Sequence, residues 1–87
     1  MKTAVPQENI DGMVQRVLDR VDESEEEFRE GICRVNPCGS SVMDQMWRDE
    51  SAEVKATTTR EVWEAEMIEY VVERFHAVKA KGKLAPA

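Results

Sequence analysis

An all-α fold is predicted by two long stretches, residues 6–35 and 58–81, in which large apolar side chains recur at helical spacing. The composition agrees, being 41% hydrophobic and 34% charged with only three prolines and four glycines. The expected architecture is a small helical domain of two long amphipathic helices plus a short middle helix. A chain of 87 residues has little interior relative to its surface, so the bundle is expected to be completed by homodimerisation. Residues 1–87 read as a single domain with flexible tails at 1–5 and 83–87 and a turn at 36–40.

The first helix is expected to start at Pro6, whose missing N–H costs nothing at the first helical position, with Gln7 and Glu8 placing acceptors at the positive end of the dipole. Ile10, Val14, Val17, Val21, Phe28 and Val35 follow at steps of three, four or seven and mark one seam. Ser24 and Gly31 interrupt that seam, leaving a low place where another backbone or a large side chain can approach. A plainer reading of Gly31 is a helix weakened by about 1 kcal/mol relative to Ala. Glu25–Arg29 and Glu30–Arg34 have the acid-before-base spacing of four that supports a helix. Val35-Asn36-Pro37-Cys38-Gly39 ends it, through an extended residue before proline and then a glycine.

Ser41 and Asp44 form an approximate capping box for the middle helix, with Val42, Met43, Met46 and Trp47 as its apolar side. Residues 55–60 read as a break, because Thr58-Thr59-Arg60-Glu61 resembles a new capping box. A single bent helix from 41 to 81 and a short strand through Val54–Val62 are the rival readings. In the last helix Trp63, Met67, Ile68, Val71, Val72, Phe75 and Val78 form a wide apolar face. Lys79, Lys81 and Lys83 gather at its negative end before Gly82 and Pro86 close it.

The net charge of −6 is entirely amino-terminal: residues 1–50 hold twelve acids against six bases, and residues 51–87 hold six of each. Its densest part, Asp22-Glu23-Ser24-Glu25-Glu26-Glu27, repels nucleic acid and attracts a basic protein surface; as a solvated face it would simply confer solubility. No apolar run approaches the ~20 residues of a membrane span, and Met1–Pro6 carries no apolar segment of signal-peptide type. The expected location is cytoplasmic, with Cys33 and Cys38 as free thiols.

Catalytic chemistry finds little support. The two cysteines have four residues between them, unlike the two of redox or zinc pairs, and no second pair completes a ligand set. Ser40 and Ser41 have no neighbouring histidine, and the glycines at 12, 31, 39 and 82 form no phosphate loop. Glu73-x-x-His76 has the spacing that sets a carboxylate and an imidazole on adjacent turns. In a dimer it would suggest a ferritin-like iron site, although helices carry that pattern often without metal. Trp47 and Trp63 suit either a core or a partner-binding surface.

The expected function is therefore that of a small acidic, non-enzymatic interaction protein without cofactor or bound metal: an inhibitor, antiactivator or adaptor. It would dock on a partner with a basic or apolar surface, and on neither nucleic acid nor membrane. The expected contact residues are Val21, Phe28, Trp47 and Trp63 on the seam, with Asp22, Glu23, Glu25, Glu26 and Glu27 steering the encounter. A nucleic-acid-mimicking, phage-type inhibitor is the alternative use of the same acidic run, predicting strong salt dependence.

Overall fold

The computed structural model describes residues 3–20 and 24–84, with side chains described as far as Lys81. It is all-helical, with five helices and no strand among the described residues: α1 Gln7–Arg20, α2 Glu25–Cys33, α3 Val42–Asp49, α4 Ala52–Thr57 and α5 Arg60–Leu84. α5 packs along α1 and α2, and α2 packs on α3.

The expected first helix is two helices. Pro6 contributes its carbonyl to Asn9 and Ile10 N–H and lies just outside α1. Ser24, in extended geometry (φ −78°, ψ 165°), starts α2 with a capping box. Its Oγ accepts from Glu27 N–H at 3.2 Å, while Glu27 Oε1 accepts from Ser24 N–H at 3.2 Å. The apolar period continues across this break, which is why periodicity alone reads one helix. Ser24 is thus a cap and not a notch, Ile32 replaces Val35 in the core, and Val35 is 62% exposed. The turn closes with Gly39 N–H bonded to Asn36 O at 2.8 Å and Asn36 N–H to Ser40 O at 3.1 Å. Gly39 has φ +92°, a conformation that favours glycine.

Ser41 caps α3 as expected, with Asp44 closing the box. Glu50 and Thr58, both extended, end α3 and α4, so neither the bent helix nor the strand forms. The final cap falls one residue later than Thr58: Thr59 Oγ1 accepts from Val62 N–H at 3.3 Å. At the far end α5 continues through Gly82 to Leu84, so Gly82 does not close it; Pro86 lies outside the described residues.

The core is Ile10, Val14, Phe28, Ile32, Met43, Met46, Trp63, Met67, Val71, Val72 and Phe75. Phe28 and Phe75 stack with centroids 4.4 Å apart, joining α2 to α5. Around this contact run ion pairs: Arg29 bridges Glu69 at 2.6 Å and Glu25 at 2.9 Å, His76 Nε2 meets Glu25 at 2.6 Å, and Arg74 holds Asp11 at 2.8 Å. Arg60 joins Asp44 at 2.6 Å and Glu64 at 3.0 Å.

Sequence reasoning gives no hint of one further tie. Glu50, 4% exposed, accepts from Thr3 Oγ1 at 2.6 Å, from Ala4 N–H and from Trp63 Nε1–H at 2.9 Å. Burial pushes its carboxyl pKa up, but the bonds from Thr3, Ala4, Trp63 and Ser51 together outweigh that and hold it below the ordinary value. Residues 3 and 4 of the expected tail are therefore fastened to the body, and Val5 packs against the core.

Candidate docking groove

Beside its buried Ile10 and Val14, α1 carries Met13, Arg16, Val17 and Arg20, spaced three, four and seven apart and so aligned in one stripe. α2 contributes Phe28, Gly31 and Ile32 by the same rule. The C-cap Arg34, Asn36 of the turn and Val42 of α3 close one end. Together these residues line an open groove of about 520 Å³. Its floor is apolar. Phe28 and Ile32 are buried beneath it, and Met13, Val17 and Val42 are half-buried along it. A Cβ added at Gly31 would meet nothing within 4 Å, so this helix surface is open where a larger residue would partly fill it.

The rim is cationic. Arg16, Arg20 and Arg34 form no ion pair among the described residues. Four acids of the same helices have partners of their own, while Glu30 is exposed one turn before Arg34. Asp11 is held below its ordinary pKa chiefly by the hydrogen bonds from Arg74, and Glu25 by those from His76 and Arg29. Asp19 accepts from Gln15 at 2.8 Å and Glu27 is taken up by its cap. An apolar floor between arginines can desolvate a side chain and fix a carboxylate beside it.

The residues expected to form the contact surface scatter. Phe28 and Trp63 are each 1% exposed and belong to the core of a single chain, Phe28 at the base of the groove and Trp63 outside it. Trp47 is half-buried at 5.0 Å from Trp63, with Lys55 Nζ 5.6 Å from its ring centroid. Glu25, Glu26 and Glu27 are exposed on the first turn of α2. Val21, Asp22 and Glu23 lie outside the described residues. The groove itself escaped sequence reasoning because Met13, Ile32 and the three arginines sit off the seam. Gly31, read as a low place, is the signal that pointed to it.

Of the remaining candidate chemistry, Cys33 and Cys38 are free and exposed. Partial burial raises the Cys33 thiol pKa, whereas the Ser40 backbone and hydroxyl lower that of Cys38. Glu73 and His76 do not converge: Glu73 lines a different cleft with Thr3, Val5, Glu66, Glu69 and Tyr70, while His76 faces Glu25. Among the described residues no group of three or more His, Cys, Asp or Glu could hold a metal ion. No helix there is long and apolar enough to cross a membrane.

Comparison with known protein families, characterised proteins and solved structures finds no match.

Proposed function

We propose that this chain is a small non-enzymatic interaction module, an inhibitor, antiactivator or adaptor, that receives a segment of a partner protein in the groove between α1, α2 and α3. The observation that carries this reading is the groove: Met13, Val17 and Val42 leave apolar surface open above Gly31 while most other large apolar side chains are closed into the core. Its volume of about 520 Å³ falls within the range of sites that bury a ligand's apolar anchor. The exposed glutamates of α2 discourage nucleic acid and favour approach by a partner that is basic around its docking segment.

The test is to fill the groove. Affinity capture on the wild-type chain is compared with capture on Gly31→Trp, whose helicity is first checked by circular dichroism. A specific protein retained by the first and lost by the second supports the reading; equal retention removes it.

Homodimerisation belongs to the same proposal in a reduced role, since one copy already buries Phe28, Trp63 and Phe75. Val35, 62% exposed, and Val62, 52% exposed, are apolar surface a second copy would cover. The exposed Glu26 and Glu27 favour a second reading, mimicry of a nucleic acid towards a protein that binds one. Glu26→Gln with Glu27→Gln abolishes partner retention under mimicry and leaves it intact under groove docking.

A further inference from the structure

We infer that the segment seated in the groove is acidic: an amphipathic stretch of a partner protein that places one or two large apolar side chains on the Met13–Val17–Val42 floor and carboxylates against Arg16, Arg20 and Arg34. The inference rests on the docking reading and gives its occupant a sign opposite to the one that the net charge of −6 suggests.

Charge complementarity carries the argument. Three arginines that form no ion pair among the described residues ring a single apolar groove on this acidic protein. Arg20 ends α1 and Arg34 caps α2, positions where a cation also complements the helix dipole. Arg16 lies inside α1, where that reason does not hold. Arg16 and Arg20 are one turn apart on the same face, about 6 Å along the axis, which matches carboxylates one turn apart on a facing helix. Each guanidinium can hold a carboxylate through two parallel bonds. The neighbouring Arg29 does so within the chain, its Nη1 and Nη2 meeting the two Glu69 oxygens at 2.6 and 3.0 Å.

Other occupants fit less well. A nucleic acid would match the arginines but waste the floor, and Glu25–Glu27 and the overall charge repel it. A second copy offers the exposed Val62, beside Glu61 and Glu66, and the exposed Val35, beside Arg34, both small anchors for a groove of this size. One-way docking of that kind pairs unlike surfaces and runs on into open chains unless the rotation closes.

The experiment uses two labelled amphipathic helical peptides with identical Leu and Phe anchors, one flanked by Glu and one by Lys, titrated with the full chain by fluorescence anisotropy. The Glu-flanked peptide is expected to bind at least about tenfold more tightly at about 50 mM salt, with the preference shrinking as salt rises. The combined variant Arg16→Gln, Arg20→Gln, Arg34→Gln is expected to lose the preference while keeping its helicity. The inference is overturned by a Lys-flanked peptide that binds as well, by a Glu-flanked peptide that does not bind, or by a preference that survives the arginine variant. Displacement of the peptide by a short DNA duplex overturns it in favour of nucleic acid, and arginine-dependent self-association in sedimentation overturns it in favour of a second copy. If Gly31→Trp loses a captured partner that the arginine variant keeps, docking stands and the acidic occupant falls; if both variants keep it, both fall.

Discussion

On the side of α1 and α2 that faces α5, charges are matched within the chain: Asp11 with Arg74, Glu25 with Arg29 and His76, and Arg29 with Glu69, all laid around the Phe28–Phe75 stack. On the side that faces the groove, Arg16, Arg20 and Arg34 border apolar surface with no such match among the described residues. The same pair of helices thus has one face whose charges are paired by folding and one whose arginines have no ion pair among the described residues. Residues on the first face should govern stability; those on the second should govern association.

The largest effect expected of this division is at Phe75. Phe75→Ala removes the ring that joins α5 to α2 and should cost about 3–5 kcal/mol in urea unfolding, enough to leave a small domain mostly unfolded. A loss below about 1 kcal/mol would show that the α2–α5 seam does not hold the fold.

Glu50→Gln comes next. The amide keeps the shape of the carboxylate but has one acceptor oxygen for the Thr3, Ala4 and Trp63 donors, and about 2–3 kcal/mol should be lost at neutral pH. Because the folded-state pKa of Glu50 is depressed, the unfolded chain takes up its proton first as the solution is acidified. The stabilisation is therefore fully present above the unfolded value of 4.5 and disappears as pH falls through the lower folded value. The gap between wild type and variant should close over that window in urea midpoints measured as a function of pH. Asp44 behaves with the same sign further down, since Ser41 N–H and Arg60 lower it to about 2.

A direct contrast of arginines sharpens the comparison. Arg74→Ala deprives a half-buried Asp11 of both bonds and should cost about 1 kcal/mol, whereas Arg16→Gln should change stability by less than about 0.5 kcal/mol while weakening partner binding. Thermal unfolding of both variants beside a binding titration reads the two effects separately. Equal stability losses would erase the distinction between the faces.

A modest gain is expected at Gly12, where an added Cβ meets nothing within 4 Å in the middle of α1. Gly12→Ala should raise stability by about 0.5–1 kcal/mol in the same unfolding assay without altering the groove.

The helical class was legible because it is written in local terms. The Ser41–Asp44 box, the run from Trp63 to Val78 and the terminator at Asn36-Pro37-Cys38-Gly39 need only near neighbours to be recognised. The Ser24–Glu27 box is equally local, but the apolar period passes through it unbroken and reads as one helix where there are two, with Ser24 read only as a low place. Glu50 was out of reach for the opposite reason. Its donors stand 47, 46 and 13 residues away, and nothing in its own surroundings marks it for burial. The groove was half visible: Gly31 announced an opening, but its rim depends on how α1, α2 and the turn come together. Trp63 and Phe28 were read as contact residues because an amphipathic stripe has the same pattern whether its cover is the same chain or another. Here it is the same chain.

The bond from Trp63 to Glu50 also equips the protein with its own optical reporter. The Trp63 indole is enclosed and donates to a carboxylate, while Trp47 is half open to water beneath Lys55. Protonating Glu50 exchanges a charged acceptor for a neutral one beside the Trp63 indole, so the titration of the carboxylate that also holds Thr3 and Ala4 is expected to register in the emission of native protein, with no label attached.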